Sequence, residues 1–301
     1  MLEKTTVISI SRSKGRKRSQ AVKMRTGVHV SISGGLAKGI DRAVERACET
    51  IQIFARTPRR WKGKEWDPED VDLFVEKRDE AGIYPVVIHT CYLINLASPK
   101  EDLRRKSIAC LVDDLRRADM ASIEYVVIHP GSSSGKKGGA ERVREACLRA
   151  LDEVEGSAQL LVENVAGGGN KVGADFEELR TIVEGTGMGV LLDTCHMLGA
   201  GYPIHEQPAE VMDEFQEAVG IERLKAFHLN DSKGEPGSHV DRHEHIGQGT
   251  IGMEGFRRIF SDPRIRSVPG ILETPQRATD DPSYDKANLS AIRGILAEYD
   301  D

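Results

Sequence analysis

No apolar run in this 301-residue sequence approaches the roughly 18 residues that a membrane span needs. The N-terminus also lacks the apolar core of a secretion signal, so neither a membrane-embedded nor an exported protein is expected. Cysteine is scarce: Cys48, Cys91, Cys110, Cys147 and Cys195 are odd in number and unclustered. That argues against a disulfide framework and fits a reducing cytoplasm. An excess of positive charge is missing too, since the formal net charge is -6. Charge alone therefore gives no reason to expect nucleic acid. No repeat of roughly 20 to 50 residues stands out, and no linker marks a second folded domain.

Enough apolar material is present for one large α/β domain: 39 % of residues are hydrophobic and 30 % charged, a balance that buries a sizeable core at this length. Residues 1–25 stand apart. They carry Lys4, Arg12, Lys14, Arg16, Lys17, Arg18, Lys23 and Arg25 against the single acid Glu3, the composition of a solvated, disordered extension. We expect one folded domain over 26–301, with Met24 as an alternative start and nonspecific affinity for DNA as an alternative use of the basic arm.

Short apolar runs, each followed by a helical pattern, recur at 27–30, 50–54, 84–88, 125–128, 159–162, 189–192, 224–227 and 270–272. Eight such units match a (β/α)8 TIM barrel, and near-continuous apolar strands suit a parallel sheet covered by helices. Helix starts are signalled by Asp67-Pro68-Glu69, by Ser98-Pro99 with Glu101, and by Asp175 with Glu178. Gly82, Gly156 and Gly185 stand where helices should stop.

Six consecutive runs are followed at once by a metal-capable side chain: His89, His129, Glu163, Asp193, His228 and Glu273. In a barrel these strand ends share one mouth. His196 follows Asp193 by three residues, and the polar stretch from Phe227 to Gly249 adds Asp241 and His243. A lone histidine or carboxylate at a strand end is usually structural, but nine crowded at one mouth would repel and desolvate one another without cations. Nine ligands are too many for one zinc ion, which takes three or four from protein, and suit about three ions sharing a bridging carboxylate. Such a centre suits hydrolysis of a phosphoester, and its cations would reverse the local sign of the field.

The segments YLINLAS after His89, HPGS from His129, ENVAG from Glu163, DTCH from Asp193, HLNDSK from His228, VDRHEHIGQG from Val240 and LETP from Leu272 resemble the endonuclease IV family of apurinic/apyrimidinic endonucleases. GVHVSISGG from Gly27 is similar to that family's first strand and loop. The resemblance implies a single (β/α)8 barrel with three zinc ions. It implies incision of duplex DNA on the 5′ side of abasic sites, leaving a 3′ hydroxyl and a 5′-deoxyribose phosphate, with removal of 3′ blocking groups, by a cytoplasmic monomer.

By the same resemblance His89, His129 and Glu163 hold one zinc, and Glu163 bridges to a second held by Asp193, His228 and Glu273. His196, Asp241 and His243 hold the third. The nucleophile is then a hydroxide beside Glu163 rather than a side chain, and a Cys195-His196 nucleophilic pair is disfavoured. Arg59, Tyr92 and Leu93 match the positions that enter the duplex, with Arg56, Arg60, Lys62, Lys64, Trp61 and Trp66 as a phosphate-contacting patch. Thr57-Pro58 departs from the family pattern beside Arg59. Glu244 stands where members often have a second histidine, leaving His245 as a competing ligand. The rival readings are a sugar isomerase or epimerase on a similar barrel, which generally uses fewer histidines, and a lesion-binding module without catalysis.

Overall fold

The computed structural model describes residues 23–275 and 281–299. Eight parallel strands close into a barrel in the order β1, β10, β7, β6, β5, β4, β3, β2. They are β1 (Thr26–His29), β2 (Thr50–Phe54), β3 (Val86–His89), β4 (Tyr125–Ile128), β5 (Gln159–Glu163), β6 (Gly189–Asp193), β7 (Leu224–His228) and β10 (Gly270–Leu272). Between the last two, β8 (Asp231–Ser232) and β9 (His243–Glu244) form a separate antiparallel pair. The helices are α1 (Ala37–Glu45), α2 (Pro68–Ala81), α3 (Glu101–Met120), α4 (Gly139–Asp152), α5 (Phe176–Val183), α6 (Thr194–Ala200), α7 (Pro208–Ala218), α8 (Gly252–Ser261), α9 (Pro263–Arg266) and α10 (Pro282–Leu296). The single-barrel expectation holds.

Most of the basic extension lies outside the described residues. Its end belongs to the barrel: Met24 is buried, and the Arg25 guanidinium donates to the carbonyls of Glu49, Gly82 and Tyr84.

The helix signals act where the sequence puts them, with two differences. Asp67 accepts the Glu69 N–H before α2, and Asp175 accepts the Glu178 N–H before α5, while the Glu178 carboxylate reaches back to the N–H of Gly173. Gly82 ends α2 in the left-handed conformation that a Cβ disfavours. Ser98, by contrast, caps the turn before α3 by accepting the Lys100 N–H, two residues ahead of the helix N-cap position, which Lys100 itself occupies. Gly156 does not end α4, which stops at Asp152 with Glu153 after it.

Burial is two-layered. The larger core lies between strands and helices and includes Phe74, Phe176, Phe215, Phe256 and Phe260. A second, separate cluster fills the barrel interior: Val87, Val127, Leu161, Leu191, Ala226 and Ile271. One residue from each of six strands makes this plug, because strand side chains alternate between the inside and the helices. Each of the six is followed two positions later by a polar residue, so the same alternation aims those residues inward, one layer above the plug.

Arg56, expected in the phosphate-contacting patch, is instead buried. Its guanidinium donates to Asp113 Oδ2 at 2.7 Å, to Asp114 and to the Trp61 carbonyl at 2.8 Å. It ties the segment after β2 onto α3. Removing one partner of a buried ion pair leaves the other charge unmatched. We therefore expect Arg56→Met to destabilise the fold by about 3–5 kcal/mol in urea unfolding, and by less in an Asp114→Asn background. A loss under about 1 kcal/mol would show that the pair is not holding the segment.

Candidate metal centre

The polar layer above the plug has eight positions, one per strand: His29, Gln52, His89, His129, Glu163, Asp193, His228 and Glu273. Six were expected from sequence. His29 and Gln52 were missed because the first two runs read as continuing to Val30 and Phe54, which hid the inward position inside the run. A period-two count from Thr50 would have found Gln52, the polar residue within TIQIF.

These side chains converge. Glu163 lies at the centre, fully buried, with Oε2 3.0 Å from His129 Nε2 and 3.4 Å from His89 Nε2. Its Oε1 is 3.0 Å from His228 Nδ1, and that nitrogen lies 3.3 Å from Glu273 Oε2 and 3.8 Å from Asp193 Oδ2. Three groups have ligand atoms within 4.8 Å of one another: His89, His129 and Glu163; Glu163, Asp193, His228 and Glu273; and Asp193, His196 and His243. Glu163 belongs to the first two groups and Asp193 to the last two.

The third group differs from the expected set of His196, Asp241 and His243, because Asp193 joins it. Asp241 remains adjacent, with Oδ1 3.1 Å from His196 Nε2 and 3.6 Å from His243 Nε2. These three residues come from outside the strand layer. Asp193 accepts the His196 N–H at 2.8 Å and so starts α6 with His196 in its first turn. The β8–β9 pair brings His243 over the mouth. That pair is fastened by buried Asp231, whose carboxylate accepts the N–H groups of Gly247, Gly249 and Ile251 at 2.9, 3.0 and 2.9 Å. Gly249 passes so near that a Cβ there would sit 2.3 Å from the Ser232 carbonyl oxygen.

The donor set fits cations on two structural counts. First, each histidine whose second nitrogen has a partner uses it to fix the ring: His89 Nδ1 meets the Thr90 carbonyl at 2.7 Å, His196 Nδ1 the Asn164 carbonyl at 2.9 Å, and His243 Nδ1 the Glu273 carbonyl at 3.0 Å. Metal-binding histidines are usually held in this way. Second, Glu163 Oε2, His196 Nε2 and His243 Nε2 are buried and make no well-aligned hydrogen bond, facing only other candidate ligand atoms. Orphaned polar atoms are costly and call for an ion.

The electrostatics agree. Burial opposes charge on His228, yet Glu273 and Glu163 raise it to about 9. Burial likewise opposes charge on His196, but Asp193 and Asp241 hold it well above its usual range. Against its own burial, Glu163 is kept well below the ordinary carboxylate range by His228 and His129, and Glu273 is lowered to about 2 chiefly by His228. Protons on imidazoles thus offset the carboxylates, and cations could replace them. His29 is the exception, pushed down to about 4 by burial.

A sequence model of the family described as xylose isomerase-like TIM barrels matches residues 40–294. Endonuclease 4 of Thermus thermophilus is 46 % identical over 278 residues, covering 91 % of this chain and 99 % of that protein. The chain belongs to the endonuclease IV family. The crystal structure of endonuclease IV from Thermus thermophilus superposes with a TM-score of 0.84 at 45 % identity, over 91 % of this chain and 99 % of that one. A D-tagatose 3-epimerase-like protein gives a TM-score of 0.68 at 20 % identity, covering 92 % and 99 % of the two chains, a likeness of fold.

Other expected residues fall at the rim or away from it. Tyr92 is 63 % exposed, its ring 5.3 Å from that of Phe54, and its N–H donates to the Pro58 carbonyl at 3.0 Å. Arg59 is exposed in the neighbouring β2–α2 segment, and Leu93 is half-buried against the core. Trp61 and Trp66 also pack on the core, with Arg117 over Trp66. His245 does not compete as a ligand: its Nδ1 meets Asn288 Nδ2 at 3.0 Å and its ring stacks on Tyr284. Cys195 is buried, and burial with Asp193 nearby pushes its thiol up to about 12, which removes it as a nucleophile at neutral pH.

An unfolded imidazole titrates near 6.5, whereas folded His228 holds its proton to about 9. The stabilisation is full below 6.5 and is lost as pH rises through 9. We expect the unfolding midpoint measured in chelator to fall across that window, and a midpoint unchanged from pH 6.5 to 9 would contradict this charge pairing.

Proposed function

We propose that this chain is a zinc-dependent DNA-repair endonuclease that hydrolyses the phosphodiester on the 5′ side of abasic nucleotides in duplex DNA. The products would be a 3′ hydroxyl and a 5′-deoxyribose phosphate, and blocked 3′ ends would be cleared by the same ester hydrolysis. The observation that carries the reading is the set of three overlapping donor groups around Glu163 and Asp193. Five imidazoles mixed with carboxylates favour zinc over hard cations such as magnesium. His89, His129 and Glu163 would hold one ion; Glu163, Asp193, His228 and Glu273 a second; and His196 and His243 a third, with Asp241 or Asp193 completing it.

Bound there, the ions would acidify water at neutral pH and offset charge on a phosphoryl group. The chain itself supplies the arrangement. Glu163 keeps a carboxylate at the centre of the mouth. Six of the ligands stand at the ends of barrel strands, a rigid base that favours catalysis by positioning. Tyr92, Leu93 and Arg59 stand at the rim, suited to a duplex whose abasic nucleotide has already lost its stacking and is cheap to extrude. All nine candidate ligands come from one chain, so the site needs no second copy, and the five described cysteines are all free, consistent with the reducing cytoplasm. The third donor group, built partly from outside the strand layer, distinguishes the site from the one- or two-cation centre expected of a sugar epimerase.

Two experiments test this. On a labelled duplex with one tetrahydrofuran abasic analogue, wild type should cut 5′ to the lesion. Glu163→Gln and chelator-treated protein should be slower by more than about a hundredfold, since even residues behind metal ligands are worth about 10–100-fold. Full incision after the metal has been stripped would sink the zinc reading. Tyr92→Ala should weaken lesion binding by about 1–3 kcal/mol, the usual worth of an aromatic stacked on a base, with zinc content unchanged. Equal binding by wild type and Tyr92→Ala would remove Tyr92 from the DNA interface.

A further inference from the structure

We propose that Gln52 is a positioning residue of the metal centre, fixing which ring nitrogen of His228 is free to take a cation. The inference rests on the zinc reading above and deepens it. Gln52 is fully buried in β2, in the strand-end layer between His29 and His89. Its side-chain amide has a donating NH2 face and an accepting carbonyl face. The Nε2 atom lies 2.6 Å from Glu273 Oε1 and 3.1 Å from His29 Nδ1, while Oε1 lies 2.8 Å from His228 Nε2.

These contacts determine one another. The Glu273 carboxylate only accepts, so the NH2 group must face it. The carbonyl oxygen then faces His228, and because it too only accepts, a neutral His228 carries its proton on Nε2. Without a cation, Nδ1 also carries a proton and donates to Glu163 Oε1 at 3.0 Å. In the neutral ring a cation would replace that proton, at the point where Glu163 Oε1, Glu273 Oε2 and Asp193 Oδ2 lie 3.0, 3.3 and 3.8 Å from Nδ1. A carboxylate orients an amide, the amide selects a tautomer, and the tautomer presents the ligand atom. His89, His196 and His243 are held by backbone carbonyls, which no substitution removes. His228 is held by a side chain, so it can be untied.

The test uses full-length protein and zinc itself. Zinc is counted and its affinities are measured by competition with a chromogenic chelator for wild type, Gln52→Leu and Gln52→Glu, and imidazole ¹⁵N spectra of the zinc-loaded proteins locate the His228 proton. We expect wild type to carry that proton on Nε2. Gln52→Leu should weaken one zinc by about 10–100-fold, the usual cost of losing a residue behind a metal ligand, and leave the others as they were. Gln52→Glu keeps an acceptor facing His228 and should keep the proton on Nε2; this variant and the wild-type spectrum decide the matter if Gln52→Leu does not fold. Wild-type affinity for every zinc in Gln52→Leu, equal weakening of all of them, or a His228 proton on Nδ1 would each overturn the inference alone. A wild type that takes up no zinc overturns the metal reading and this inference with it.

Discussion

Eight parallel strands ending level with one another impose the constraint on which this molecule depends. Alternation along each strand sends one residue inward to the apolar plug and, two positions later, a second residue to the layer above it. The plug residues are apolar and fully buried, so whatever stands above them has protein beneath and solvent only at the mouth. Filling that layer with His29, Gln52, His89, His129, Glu163, Asp193, His228 and Glu273 places charge at the edge of a low-dielectric interior. Such a layer persists only if its members neutralise one another or share cations. Protons bound by His196 and His228 do part of that work, and three orphaned ligand atoms mark what they leave undone.

The strand layer by itself would make a two-cation mouth. The third donor group requires two additions that lie outside it. Asp193 serves as both a layer residue and the N-cap of α6, so the helix start and the placement of His196 are one event. The β8–β9 pair is only four residues of strand, too short to hold itself together. Asp231, buried and accepting several backbone N–H groups, supplies the rigidity that the pair lacks. The glycines of the following turn allow the chain to come close enough for those bonds. Ligand geometry thus depends on a carboxylate that touches no proposed cation.

Charge at the rim obeys a different rule. A chain with net charge -6 has no global attraction for DNA, and burial of Arg56 takes one cation from the expected patch. What remains exposed beside the mouth is Arg59, Arg60, Lys62 and Lys64, close to a centre whose sign would reverse once metal is bound. Affinity for a polyanion would then be local to the site rather than spread over the surface.

The barrel was legible in the sequence because a parallel strand covered on both faces must be apolar throughout, and eight such runs spaced by helix signals leave few other folds. The six ligand candidates at strand ends were legible for the same reason: a histidine or carboxylate closing an apolar run is conspicuous. Gln52 and His29 were not, since each was followed by further apolar residues, and which member of a run faces inward depends on register with its neighbours. The fate of Arg56 was hidden as well, because its partners Asp113 and Asp114 lie 57 and 58 residues away on α3. Residue types and their order therefore determined the fold and the chemistry available at its mouth. Only the tertiary structure decided the sharing of Asp193, the burial of Arg56 and the Gln52–His228 contact, because each depends on distances between segments that no local pattern encodes.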